Sequence, residues 1–353
     1  MMLATLASNA ILSKARAMYG RRLTEQDYKE LLNCQNVSEV AFYLKNQTHY
    51  KQVLAGINEN AVHRGQLEAK LKQKQFEDYD SLCRYEITVG ERFAKYLLVH
   101  SEIEQILHVL ILLDAGKPEE YLFELPMYLS RHASMDMDRL SKIRSYDDLL
   151  LVLDRTPYRE ILEPFKPVKD VPINFTGIEN ALYGYLYRNL YEVIDHYTKG
   201  EARKELHEIF DSYLDLDNYS RIVRMKVSYQ CGADFIQSSL LPFGSLDPAT
   251  IKQMVDAETE QQISEIMHRT KIGRRALDIP YSYVDEIPKR MLYKICRHNI
   301  YFSTHPAVVM MSYLFLVQCE RTDIITIVEG VRYKLPPDEI LKLLIIPNYR
   351  RKE

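Results

Sequence analysis

A chain of 353 residues is long enough to bury a substantial core and to form two or three domains. Its net charge of -3, with 27% charged residues mixed in sign, gives no global attraction for nucleic acid. Five cysteines, odd in number and without a Cys-x-x-Cys pair, suggest reduced thiols in the cytosol rather than a disulfide framework or a zinc site, and no apolar run reaches the roughly 20 residues that span a bilayer.

Glycine and proline are scarce, 12 and 14, and good helix formers fill the stretches between them, so the expected class is all-α. The N-terminal run MMLATLASNAILSKARAM places Lys14 and Arg16 after its apolar part, the reverse of a signal peptide, and is predicted to be a helix of the fold itself. Thr24-x-x-Asp27 starts the next helix, whose apolar positions are Leu23, Tyr28, Leu31 and Leu32. A short helix then finishes at Thr48-His49-Tyr50. Further on, Ile103, Ile106, Leu107, Leu110 and Ile111 form one apolar stripe, stopped by Gly116-Lys117-Pro118. In the middle of the chain Leu140, Ile143 and the run from Tyr146 to Leu153 precede Thr156-Pro157-Tyr158, and Pro157, Pro164, Pro167 and Pro172 exclude a continuous helix. A second stripe, Leu206, Ile209, Phe210, Tyr213 and Leu214, leads to a helix end expected at Gly232. Asp247-Pro248 starts another helix, with Leu246, Ile251, Met254 and Val255 on its face. Thr270-Lys271-Ile272 follows, and Pro280 and Pro288 mark a loop.

One phrase recurs three times in this series. Its closing end reads Glu102-x-x-Gln105-Ile106-x-x-Val109-Leu110, Asp215-x-x-Asn218-Tyr219-x-x-Ile222-Val223 and Glu320-x-x-Asp323-Ile324-x-x-Ile327-Val328, with Leu97, Phe210 and Phe315 five residues before each leading acid. The openings at Leu23 and Leu246 match at equal offsets. Repeats of this length are domain-sized, whereas solenoid units run roughly 20 to 45 residues. The expectation is three similar helical domains, 1–120, 121–235 and 236–353, around a pseudo-threefold axis that leaves a central concavity.

Reactive chemistry is not suggested. His100 and His108, near Glu102 and Glu104, do not have the spacing of a zinc helix, and His132 with Asp136 and Asp138 reads as a loop and helix start. There is no phosphate-binding glycine loop, nucleophile elbow or Cys/His pair. Tyr183, Tyr187 and Tyr191 share one helical face and read as a packing stripe. Arg221, Arg224 and Lys226 follow the second closing motif and Arg332 and Lys334 the third. Helix dipoles favour cations there, and the cations also suit an acidic partner surface.

Lys14-Ala-Arg-Ala-Met18, Leu23-Thr24-Glu25-x-Asp27-Tyr28-x-x-Leu31-Leu32, Asp215-x-x-Asn218-Tyr219-x-x-Ile222-x-Arg224-x-Lys226, Leu241-Pro242-x-Gly244 and the Glu320 to Ile340 segment together resemble the C subunit of the V-type (A/V-type) ATPase, whose eukaryotic counterpart is the d subunit, or AC39. Against that family, Tyr219 stands where leucine is usual and Asp323 where asparagine is usual, and basic residues around Thr322 and Ile325 are missing. The resemblance implies a funnel-shaped socket that sits on the membrane c-ring and receives the central shaft made of the D and F subunits. It further implies a non-catalytic rotor component without cofactor, cytoplasmic and held at the membrane only through protein contacts, in a proton- or sodium-translocating machine. On that reading Arg221, Arg224, Lys226, Arg332 and Lys334 face a partner. Glu102, Gln105, Asp215, Asn218, Glu320 and Asp323 are then structural marks of the repeat. A soluble three-domain scaffold for other cytosolic partners is the alternative.

Overall fold

In the computed structural model, which describes residues 2–59, 62–85, 90–121, 125–168, 171–279 and 281–347, the described residues form helices and their connections, with no strand. The chain opens with α1 (Met2–Tyr19), α2 (Glu25–Asn33), α3 (Val37–Gln47), α4 (Arg64–Cys83) and α5 (Gly90–Asp114). Three short helices, α6 (Met137–Leu140), α7 (Tyr146–Val152) and α8 (Pro157–Leu162), lead to α9 (Phe175–Tyr197) and α10 (Gly200–Val223). Then come α11 (Ala233–Ser238), α12 (Pro248–Asp256), α13 (Glu260–Arg269), α14 (Lys271–Leu277), α15 (Glu286–Phe302), α16 (Pro306–Arg332) and α17 (Pro337–Leu343).

Local chemistry sets most of the short helices. Thr24 and Thr259 each form a reciprocal capping box, with Asp27 and Gln262 respectively. Asn36, Asp136, Ser145, Asp247 and Thr270 cap the starts of α3, α6, α7, α12 and α14 with side-chain oxygens. Each cap satisfies an N–H that the helix cannot, so short helices form where propensity alone would leave them frayed.

The long helices pair as hairpins, α4 with α5, α9 with α10 and α15 with α16. The first helix of each hairpin also packs on the second helix of the preceding one: α9 on α5, α15 on α10, and α4 on α16. The circuit α4–α5–α9–α10–α15–α16 therefore returns to α4. The short helices seat on the same closing helices, α2 and α3 on α16 and α12, α13 and α14 on α10. Helix α1 packs on α16, α15 and α4, covering the junction of the last hairpin with the first. There Arg16 donates from Nε to the Ile300 carbonyl (2.8 Å) and from Nη2 to the Ser303 carbonyl (2.7 Å).

Three local expectations change. The helix end expected at Gly232 lies earlier. After α10 the chain makes a π turn over Arg224–Ser228, and the left-handed residue is Gln230 (φ 53°), while Gly232 precedes α11. The other closing helices end on left-handed Gly116 (φ 70°) and Lys334 (φ 57°), each fourteen residues after its leading acid. Gln230 comes fifteen after Asp215, and the wider π turn absorbs the extra residue. Pro288 lies inside the first turn of α15, where its missing N–H would have had no intrahelical partner, and Pro280 lies outside the described residues. Finally, α5 is long and apolar enough to cross a membrane by length and composition, which its apolar runs read one by one did not reveal. It packs on α4 and α9, with Phe93, Ile103, Ile106 and Leu110 buried, whereas Ile111, expected on the same stripe, is 53% exposed.

Candidate functional site

The leading acid of each closing motif is buried in a helix core, and each reaches across to the start of another copy of the repeat. Glu102 accepts from the Ser134 N–H and from the Tyr158 hydroxyl (2.5 Å). Asp215 accepts from the N–H groups of Ser245 (3.0 Å) and Leu246 (3.1 Å) and from the Ser245 hydroxyl (2.6 Å). Glu320 accepts from the Leu23 N–H (2.8 Å) and the Tyr50 hydroxyl (2.9 Å), so the third copy grips the start of the first. The partner chemistry follows acid length. Both glutamates reach a tyrosine two residues beyond the repeated threonine, whereas Ile272 occupies that place in the third opening and the shorter Asp215 takes a serine hydroxyl instead.

The second polar position of the motif grips the segment that follows its own helix. Gln105 accepts from the Tyr121 hydroxyl (2.9 Å). Asn218 accepts from the Leu241 N–H (3.0 Å) and donates to the Leu241 carbonyl (2.9 Å). Asp323 accepts from the N–H groups of Ile345 (2.7 Å) and Ile346 (2.9 Å) and from the Tyr28 hydroxyl (3.3 Å). Burial raises the Asp215 carboxyl against the lowering effect of its donors. It pushes Asp323 further, to about 7. One glycine is required here: Gly244 has φ +112°, and a Cβ on it would collide with the Asp215 Oδ1.

The bulky residues five before the acids converge. Phe210 meets Phe315 edge to face at 5.5 Å and Tyr96 at 5.9 Å, and Leu97 and Phe315 line one small cavity of about 30 Å³. Lys72, His100, Glu104 and Arg321 share that cavity, with Lys72 3.3 Å and His100 3.9 Å from the Glu104 carboxylate. Burial raises the Glu104 carboxyl, yet His100, Lys72 and Arg321 together outweigh it and hold the group below its ordinary range. Burial lowers His100. His100 and Glu104 do stand one helical turn apart, but they serve this ion cluster. Among the described residues, no three of His, Cys, Asp and Glu are grouped so as to hold a metal ion.

The five cations differ in what they touch. Arg221 is held by Asp217 (2.8 Å) with its side chain 13% exposed, and Lys226 donates to the carbonyls of Val255 and Ala257 (2.5 Å) at the end of α12. Arg224 pairs with Asp285 (3.0 Å) and Arg332 with Glu329 (3.9 Å), all more open to solvent, and Lys334 is the exposed left-handed residue after α16. Tyr183 stacks with Tyr187 and Tyr191 with Phe243, so the tyrosine face is used in packing. His132 lies against Phe76 (5.3 Å), and Asp136 caps α6.

Two parts of the repeat escaped the sequence reading. Met135 is the counterpart of Leu23 and Leu246: Leu140 and Ile143 follow it at the same offsets as Tyr28 and Leu31 follow Leu23, and Ser134 before it binds Glu102. Leu125-Pro126, Leu241-Pro242 and Ile346-Pro347 recur after the closing helices, and the last two pairs carry the backbone that Asn218 and Asp323 hold.

Three equivalent buried acids tie the helical circuit together, and the described residues define a repeat-built protein of the all-α class. The chain belongs to the ATP synthase (C/AC39) subunit family, whose model matches residues 11–343. It is similar to the C subunit of the A-type ATP synthase of Pyrococcus furiosus, 22% identical over 343 residues covering 94% of this chain and 88% of that one. The corresponding C subunit of the Methanosphaera stadtmanae A-type ATP synthase is 28% identical over 216 residues, 61% of this chain and 53% of its own length. That of Pyrococcus abyssi is 22% identical over 262 residues, 74% and 67% respectively.

Proposed function

We propose that this chain is the non-catalytic central-stalk component of a V-type ATPase or ATP synthase. On this reading it joins the D and F shaft to the c-ring, so that rotation and proton or sodium transport stay coupled to ATP synthesis or hydrolysis. The three repeats, 1–120, 121–235 and 236–353, then surround a pseudo-threefold axis as a funnel-shaped socket, peripheral to the membrane on the cytoplasmic side. The observation that carries this reading is the closed circuit of long helices, in which the third leading acid returns to the first opening. A part that passes torque needs a body that does not shear between units, and buried acids bonded across each junction resist shear because breaking them leaves an unpaired charge in the core.

The solvent-open cations Arg224, Arg332 and Lys334 are assigned to the polar partner surface, with Arg221 and Lys226 fixing the backbone beneath it. Pull-down of the purified D and F shaft proteins by the full chain tests the assignment. Arg224→Glu is expected to weaken capture about tenfold, because reversing a rim charge turns attraction into repulsion. Unchanged capture would remove Arg224 from the interface, and no capture by the wild type would remove the proposed partner.

A further inference from the structure

The three junctions of the helical circuit are not alike. The chain itself runs from the first unit into the second and from the second into the third, but α16 meets α2, α3 and α4 only through non-covalent contacts, between residues such as Leu23 and Glu320 that are 297 positions apart. This seam is held by Glu320 on Leu23 and Tyr50, by Asp323 on Tyr28, by Arg16 on Ile300 and Ser303, and by Arg64 on Glu329 (2.5 Å).

Asp323 lies at its centre, 0% exposed, and joins three segments: its own helix α16, α2 through Tyr28, and the C-terminal segment through Ile345 and Ile346. The equivalent positions hold the neutral amides of Gln105 and Asn218, and the Asn218 amide forms a similar backbone clasp without any charge. Only the seam therefore carries an ionisable group at this position. Around it stand Glu320 and Cys319 from α16 and Tyr28 from α2. His49 and Tyr50 face Glu320 from the turn after α3, and Lys289 of α15 acts on Cys319. Among the described residues no cation pairs with Asp323, and Ile345 and Ile346 offer it backbone N–H groups.

We propose that the seam between the third and first units is a proton-sensitive closure, tight while Asp323 is protonated and looser once Asp323 becomes a buried anion beside Glu320. Burial is the main cause that lifts its carboxyl from 3.8 to about 7, against three hydrogen bonds that lower it and with Glu320 raising it further. Because the folded value lies above that of an open, solvated carboxyl, the closed seam holds the proton more tightly than the open one. The stabilisation is complete below about pH 4 and is lost as pH rises through about 7. His49 does not share this titration, since burial lowers it to about 4.

Hydrogen exchange of the full chain, corrected for intrinsic rates, tests the proposal by comparing peptides covering residues 23–32 and 340–346 with one covering the middle opening, 134–141. From about pH 5.5 to about 7, seam protection is expected to fall by up to about tenfold per pH unit relative to the middle opening, and then to level off. Asp323→Asn is expected to flatten the profile. A wild-type ratio that does not change with pH overturns the proposal whether or not that variant folds, and an undiminished pH dependence in Asp323→Asn overturns it equally.

Discussion

Glu102, Asp215 and Glu320 are carboxyl groups taken out of water, which costs several kcal/mol unless donors replace the lost hydration, of order 1–3 kcal/mol for each unmet bond. Two or more donors meet each of them. Tyr158→Phe removes one donor without changing packing volume, so it is expected to lower unfolding stability by about 1–3 kcal/mol in a urea titration. An unchanged midpoint would mean that the Glu102 clasp contributes nothing. Gly244→Ala forces a Cβ into a left-handed turn against Asp215, and should cost at least about 2 kcal/mol by the same measurement; a neutral result would reject the turn geometry. The acids themselves were legible in the sequence because each stands at a fixed distance from an apolar pair. Their partners were not, since Glu320 and Leu23 lie at opposite ends of the chain and periodicity reports only local neighbours.

Helix boundaries follow the caps, which is why Thr24, Asp247 and the apolar stripes were readable and the end of α10 was not. A left-handed residue after a helix is expected to be glycine, yet here Gln230 and Lys334 take that role. The middle opening was read only from Leu140 onward because Met135 replaces the leucine of the other two openings and α6 is a single turn. Lys226 and Arg224 are two residues apart in one π turn but belong to different layers, and stability separates them. Lys226→Met strips a cation from two carbonyls at the end of α12 and is expected to cost about 1–2 kcal/mol. Arg224→Glu is expected to stay within about 0.5 kcal/mol of wild type. Equal losses in thermal unfolding would contradict the division between backbone support and partner surface.

Across the molecule as a whole, the repeat says more about shape than about chemistry. Three openings seated on three closing helices explain the buried acids, the converging Leu97, Phe210 and Phe315, and the return of α16 to α4. That closure was only partly legible. The threefold recurrence could be read directly, whereas the seating of each opening on the previous copy depends on contacts that sequence spacing does not encode. A body closed in this way suits the rigid coupling adaptor proposed above. The direct measurement is ATP-driven ion uptake alongside ATP hydrolysis in membrane vesicles from cells with and without this chain. Without it, hydrolysis by the catalytic head is expected to persist while ion uptake is lost, and restoring the chain is expected to recover uptake. Ion uptake at the full rate in its absence would contradict a coupling role.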